Sequence, residues 1–254
     1  MIDPIANMDI SEYTLVAAVP SALTLLFVSD LHDCDNVPVL EVARRLQPDA
    51  VVVSGDFIHN AEVYRRGLEF LQAAAQCYPV FCSLGNHEKR FVGDLYSLVE
   101  ETGAVLLDNA AVSFRGLHIG GLSSGYDFGE AQGNLRSTPI PDVKWLQQFS
   151  ALEGYKLLLS HHPEYYPKYI RRTTVNLTLS GHAHGGQWRF FGRGVFAPGQ
   201  GVFPRYTGGL YEGRLIVSRG LGNQHSVPRI NNRPEVVVIH LLPSINNTIT
   251  NSTD

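Results

Sequence analysis

The stretch Leu23-Thr24-Leu25-Leu26-Phe27-Val28-Ser29-Asp30-Leu31-His32 sets the pattern for most of the chain. An apolar run from Leu23 to Val28 stops abruptly at polar residues, as a strand buried on both faces does. The pattern returns twice: Ala50 to Val53 ends in Ser54-Gly55-Asp56, and Val80 to Leu84 ends in Gly85-Asn86-His87-Glu88. Between these runs the apolar spacing turns helical. Val39, Val42 and Leu46 mark a helix over Val37–Leu46, and Val63, Leu68, Leu71 and Ala75 mark one over Glu62–Cys77. Asp94 to Glu101 reads as a third helix, closed by Gly103. Short buried strands alternating with helices predict an α/β fold with a largely parallel sheet covered on both faces.

The middle of the chain changes character. Val105–Leu107, Val112–Phe114 and Leu117–Leu122 read as strands with tight connections, and Ser123–Pro141 as a long loop rich in Gly, Ser and Pro. Pro141 is predicted to sit in the first turn of a helix running to Leu152. Leu157–Leu159 and Leu177–Leu179 are two more buried strands, ending in His161-His162 and Gly181-His182. From Gln187 onward the pattern is strand and turn, with strands over Leu215–Ser218 and Val236–Leu241. The polar tail 243–254 is expected to fray. With no linker in view, the reading is one domain over residues 1–254.

Composition narrows the function. The 254 residues are 44% hydrophobic and 17% charged, which excludes a disordered chain. A net charge of −4 argues against general nucleic-acid binding, which wants a basic face. Cys34, Cys77 and Cys82 form no C-x-x-C pair and read as reduced, mostly buried thiols. Met1 to Glu12 lacks the basic start of a secretory signal. Leu15–Val28 is interrupted by Pro20, Ser21 and Thr24 and is too short to span a bilayer. The expected location is the cytoplasm.

Five polar clusters each follow an apolar strand: Asp30-Leu31-His32, Gly55-Asp56, Gly85-Asn86-His87-Glu88, His161-His162 and Gly181-His182-Ala183-His184. Taken singly, such clusters are usually turns or caps. Together, at the ends of strands that would share one sheet edge, they converge on a single site. Imidazoles, carboxylates and an amide oxygen suit Zn2+, Mn2+ or iron, and the thiolates of a structural zinc finger are missing. Gly55, Gly85 and Gly181 beside them fit sharp turns or close backbone approach.

The ordered set resembles the calcineurin-like metallophosphoesterases, whose pattern is D-x-H, G-D, G-N-H-D/E, H and G-H-x-H. All five blocks are present between Asp30 and His184. The segments Gly181 to Gln187, Ser218-Arg219-Gly220-Leu221-Gly222 and Arg233-Pro234-Glu235 look like a bacterial branch of small phosphohydrolases that includes lipid-sugar-nucleotide pyrophosphatases. The resemblance implies a four-layer α/β/β/α sandwich of two mixed sheets. It implies two divalent metal ions (Mn2+, Fe2+/Fe3+ or Zn2+), one held by Asp30, His32, Asp56 and His184, the other by Asp56, Asn86, His161 and His182. Two such ions ~3.5–4 Å apart clamp the attacking and leaving oxygens, and a water or hydroxide between them is the nucleophile.

Further roles are implied in the same way. His87 is the candidate general acid, working beside Asp56 and Asn86. Ser160-His161-His162-Pro163 fits the family form with His161 as the ligand, which places His162 beside it. Glu88 is expected to orient neighbouring groups, and Gly185, Gly186 and Gln187 to lie within reach of substrate. Many relatives carry Asp three residues after the G-D aspartate, paired with the acid histidine. This chain has His59 there, with Asn60 as the other possible partner. The expected reaction is hydrolysis of a phosphodiester or pyrophosphate in a small phosphorylated substrate, such as a nucleotide-sugar lipid, with peripheral membrane contact and no nucleic acid. Two readings stand beside it: a phosphomonoesterase or protein phosphatase of the same fold, and a catalytically silent metal-binding scaffold. His118, His225 and His240 carry no expected chemistry. The aromatic group that includes Tyr165, Tyr166, Trp188, Phe190 and Phe191 reads by default as core.

Overall fold

The computed structural model describes residues 7–128, 138–223 and 228–244. The first sheet contains β1 (Asp9–Ala17), β2 (Leu23–Val28), β3 (Ala50–Val53), β4 (Val80–Ser83) and β5 (Val105–Leu107). The second contains β6 (Ala110–Phe114), β7 (Leu117–Leu122), β8 (Tyr155–Ser160) and β9 (Leu177–Ser180). Two small hairpins follow: β10 (Arg189–Phe190) with β11 (Arg193–Gly194), and β12 (Phe196–Ala197) with β13 (Gly201–Val202). The chain then adds β14 (Gly209–Tyr211) and β15 (Leu215–Val217) to the second sheet and returns with β16 (Glu235–Pro243) to the first. The strand orders are β1-β16-β2-β3-β4-β5 and β14-β15-β9-β8-β7-β6. Each sheet is mixed: β2 to β5 and β7, β8, β9 and β15 run parallel, while β16 is antiparallel to β2, β6 to β7 and β14 to β15.

Side-chain alternation builds the layers. In β2, Leu26 and Val28 face helices α1 (Val37–Leu46), α2 (Arg65–Ala75) and α3 (Leu95–Glu101), packing with Val42, Phe70, Leu71 and Val99. Leu23, Leu25 and Phe27 point the other way, into a core shared with Leu117, Ile119, Leu157, Leu159, Leu177 and Leu179 of the second sheet. On that sheet's far face, Leu122, Leu158, Leu215 and Val217 pack under Leu146 and Phe149 of α4 (Val143–Ser150) and the π-helical turn Tyr166–Ile170. The architecture is therefore α/β/β/α. Each fully buried Leu, Val or Phe contributes roughly 1.5–3 kcal/mol, so two layers buried on both faces carry most of the stability.

Local chemistry sets the boundaries. Asp94 and Asp142 cap α3 and α4 by accepting from the N–H groups of Ser97 and Trp145, caps worth about 0.5–2 kcal/mol each. Pro141 therefore lies just before its helix, not in the first turn. Asn60 Oδ1 accepts from Glu62 and Val63 N–H, a turn that delays α2 to Arg65 instead of Glu62. β1 was not anticipated. Its burial alternates along its length, and its parallel partner β16 lies at the opposite end of the chain. Arg219 ties this edge together, donating to Asp9 Oδ2 and Glu235 Oε1 at 3.0 Å each. Strand β16 continues through Pro243, so the first residue of the expected tail is structured. The rest of that tail from residue 245, His225, and residues 129–137 of the Ser123–Pro141 loop lie outside the described residues.

All three cysteines are free, but Cys77 is exposed and Cys34 half-buried, so only Cys82 matches the expected buried thiol. The aromatic default also needs correction. Tyr165 and Tyr166 are core, whereas Trp188, Phe190 and Phe191 are exposed. Among the described residues, no helix is long and apolar enough to cross a membrane.

Candidate metal centre

Strands β2, β3 and β4 deliver Asp30, Asp56 and Asn86 at their carboxyl ends, and β8 and β9 deliver His161 and His182 from the other sheet. The two edges are stitched together here. His161 Nδ1 donates to Ser54 O at 2.9 Å, and His182 N donates to both Asp30 carboxylate oxygens at 3.1 Å. Asp30, His32, Asp56, His182 and His184 all hold φ between 44° and 63°, in the left-handed region. A non-glycine residue held there costs on the order of 1–3 kcal/mol when the surroundings impose it. Concentration of such backbone at one edge marks a site whose geometry the fold maintains against local preference.

Close approach explains two glycines. A Cβ on Gly85 would lie 2.2 Å from Asp56 Oδ1, and one on Gly181 would lie 1.8 Å from Ser29 Oγ and 2.2 Å from Asp30 Oδ2. The Gly181→Ala protein is expected to lose about 1–3 kcal/mol by overpacking, or roughly 2–12 °C in thermal midpoint. Displacement of Asp30 should weaken divalent-metal uptake at the same time. Calorimetry and a metal titration on the purified variant check both effects, and unchanged uptake would refute the displacement.

The ligand atoms gather in two groups. Those of Asp30, His32 and His184 lie within 4.8 Å of one another, as do those of Asp56, His161 and His182. Asp56 spans both: its Oδ2 is 3.0 Å from His161 Nε2 and 3.7 Å from His32 Nε2. His184 Nε2 lies 3.5 Å from Asp30 Oδ1 and 3.2 Å from His32 Nε2. Asn86 is buried, and its Oδ1 has no hydrogen-bond partner among the described residues; Asp56 Oδ2, His161 Nε2 and His182 Nδ1 are in the same condition. Burial lowers the His161 pKa, but Asp56 at 3.0 Å raises it to about 9; with Nδ1–H given to Ser54, giving up the other proton turns a lone pair toward that carboxylate. A cation between them resolves this juxtaposition of buried acceptors. The residues present therefore fit a divalent metal.

Electrostatics point the same way. Burial lowers the pKa values of His32, His182 and His184, which keeps these rings neutral, the form that binds a metal. Burial opposes ionisation of Asp56, yet His161 and His87 together hold its carboxyl well below the ordinary range. Glu88 anchors the turn around it. Its Oε2 accepts from Asp56 N at 2.8 Å and Gly85 N at 2.7 Å, and its Oε1 accepts from Ile58 N at 3.1 Å.

His87 N donates to Asp56 Oδ1 at 2.9 Å, and His87 Nε2 lies 4.0 Å from Asp56 Oδ2. Its Nδ1 donates to the main-chain carbonyl of His59. The partner at that position is thus backbone, present whatever the side chain, and Asn60 is occupied elsewhere. The His59 ring sits 5.1 Å from that of His87 and 5.8 Å from that of His32. His162 meets the rings of His161 and His182 edge-on at 5.1 and 4.3 Å, with Nε2 bonded to Ser124 Oγ at 2.8 Å and Nδ1 3.5 Å from Glu164 Oε1. Gly185 packs against Asn232 and Gly186 against Gly194, while Gln187 Nε2 donates to Asn223 Oδ1 at 2.9 Å. His118 and His240 stand apart, beside Ser113 and Thr24.

Three residues escaped the sequence reading. Glu164 is buried within 4.8 Å of the His162 and His182 ring nitrogens, and its one signal was a carboxylate directly after a strand-end His-His-Pro. Arg90 Nη1 approaches His87 Nε2 at 3.4 Å. Arg229 Nη2 lies 3.4 Å from His184 Nδ1. Neither arginine carries a local pattern, because its partner is set by tertiary folding.

An α/β/β/α sandwich whose sheet edges bring carboxylates and imidazoles together defines a metal-dependent hydrolase of phosphoric esters. The chain belongs to the calcineurin-like phosphoesterases, whose family model matches residues 23–186. It is similar to phosphodiesterase YaeI of Escherichia coli K12, at 28% identity over 245 residues, covering 86% of this chain and 82% of that one. It is also similar to the uncharacterized metallophosphoesterase YkuE of Bacillus subtilis 168, at 29% identity over 220 residues, covering 82% and 72%. Among solved structures, the phosphopantetheinyl hydrolase PptH of Mycobacterium tuberculosis aligns with 82% of this chain and 92% of its own, at 17% identity and TM-score 0.45. The protein is a hydrolase acting on phosphoester bonds.

Proposed function

We propose that the chain hydrolyses a phosphodiester or pyrophosphate bond in a small substrate, using two divalent cations drawn from Mn2+, iron and Zn2+. The observation that carries this reading is the pair of ligand groups sharing Asp56, with buried acceptors facing each other across it. Asp30, His32, His184 and Asp56 would hold one cation, and Asp56, Asn86, His161 and His182 the other. Bound there, the cations supply Lewis acidity, offsetting phosphoryl charge and lowering the pKa of water.

The side chains around them have separable tasks. Glu88 holds the main chain of Asp56 and Gly85, which aims the shared carboxylate. The bond from His87 Nδ1 to His59 O fixes the ring so that Nε2 faces the centre. Burial lowers the His87 pKa, Asp56 opposes this and Arg90 adds to it. Proton donation from Nε2 therefore depends on an anionic substrate, which favours the imidazolium and draws the Arg90 guanidinium to its own oxygens. The leaving-group oxygen then takes the Nε2 proton.

The test is turnover of bis(p-nitrophenyl) phosphate against p-nitrophenyl phosphate, with Mn2+ added to the purified chain. Diester turnover above monoester turnover is expected. Monoester turnover alone would replace the reading with a phosphomonoesterase, and metal uptake with neither activity would leave a binding scaffold.

A further inference from the structure

The hairpins β10–β11 and β12–β13 carry an apolar surface that the hydrolytic reading does not use. Phe191 is 106% exposed, Phe203 80% and Val202 66%, with Phe190 half-exposed beside them. The hairpins are joined into one unit. Val195 N donates to Gly186 O and Trp188 O, and Phe203 N donates to Val195 O at 2.8 Å. Phe191 and Phe203 also hold φ of 51° and 52°. In that left-handed region Gly or Asn is favoured and a bulky side chain is a genuine outlier. Phe191 sits in the turn of the first hairpin and Phe203 just past β13, at the open end of the second. Folding therefore gains little from Phe at either position: the backbone disfavours it, and the exposed ring contributes little to the core. Its identity there calls for a partner outside the chain.

Charge indicates which partner. From Gly185 to Tyr211 the chain contains Arg189, Arg193 and Arg205 and no Asp or Glu, in a protein of net charge −4. Arg193 and Arg205 are exposed, and Arg205 Nη2 lies 3.6 Å from Glu212 Oε1, the first acid past this stretch, so Arg193 is the arginine best placed to meet an external anion. Projecting aromatic rings flanked by arginines match the interfacial zone of an anionic bilayer, where rings enter the headgroup–acyl boundary and guanidinium groups meet lipid phosphates. A second protein surface fits less well. A stable interface buries about 800 Å² per partner, and short two-residue strands with a handful of exposed side chains offer a small surface for that.

We infer that these two hairpins dock the protein on an anionic lipid surface, with Phe191 and Phe203 as the inserting side chains. β10 begins at Arg189, close in the chain to His184, so docking holds the 182–186 turn near the lipid–water boundary. The inference is independent of which phosphoester bond is cleaved.

Sedimentation of the full chain with phosphatidylcholine vesicles, with and without phosphatidylglycerol, tests it. The protein is expected to sediment with the phosphatidylglycerol vesicles and to be released by salt. The Phe191→Asn/Phe203→Asn double variant should partition roughly tenfold or more weakly, with its thermal midpoint unchanged or raised, because Asn accepts the left-handed backbone. Arg193→Gln should weaken binding to the anionic vesicles only. Failure to sediment with either vesicle overturns the inference, as does a double variant that binds like the parent. A concentration-dependent dimer dissolved by the same two substitutions would assign the two rings to a second copy of the chain and overturn the inference.

Discussion

The Asp56→Asn protein is expected to fold, to lose divalent-metal uptake, and to turn over a phosphodiester on the order of 10³-fold more slowly. The physical case rests on the two carboxylate oxygens having different partners. Oδ1 accepts from His87 N at 2.9 Å, a bond that an Asn side-chain oxygen reproduces. Oδ2 faces His161 Nε2 at 3.0 Å, His32 Nε2 at 3.7 Å and His87 Nε2 at 4.0 Å. Substituting NH2 there places a donor where a cation is required and removes the negative charge shared by both ligand groups. The backbone at φ 53° accepts Asn readily. Kinetics together with metal content by mass spectrometry give the readout. Full metal stoichiometry with parental turnover would refute the shared role of Asp56.

Stripping the metals is the second large effect. Dialysis against a chelator is expected to abolish turnover and lower the thermal midpoint, and re-addition of Mn2+ or Zn2+ should restore both. A site filled at a hundred times its dissociation constant adds about 2.7 kcal/mol. At roughly 2–4 °C per kcal/mol for a chain of this size, the two proposed sites would correspond to roughly 10–20 °C. The cause is visible in the buried edge. Neutral rings at His32, His182 and His184 meet carboxylates, and Asp56 Oδ2, Asn86 Oδ1, His161 Nε2 and His182 Nδ1 have no hydrogen-bond partner among the described residues. Calorimetry with and without added metal decides it. A chelated protein that melts where the loaded one does would mean the ligand atoms gain nothing from a cation.

Much of the fold was legible because burial on both faces leaves a continuous apolar run. β2, β3, β4, β8 and β9 show it, and their buried residues divide cleanly between the core under the helices and the core between the sheets. β1 was missed for the opposite reason. It is an edge strand with alternating exposure, paired to residues more than two hundred positions away, and only the closed sheet stabilises it. The exposed Phe191 and Phe203 were equally invisible, since a short aromatic cluster has the same composition in a core or on a surface hairpin.

The candidate site divides along the same line. The sequence by itself determined that Asp30, Asp56, Asn86, His161 and His182 end strands, because the change from apolar to polar is a local pattern. It also placed two histidines side by side at 161 and 162. Only the tertiary structure decided that His161 faces Asp56 while His162 turns to Ser124 and Glu164. It likewise decided that His87 is held by the carbonyl of His59 and that five of the site's residues adopt left-handed backbone. Those choices depend on how the edges of two packed sheets meet. The contacts across that meeting join segments far apart in the chain, so no local pattern records them.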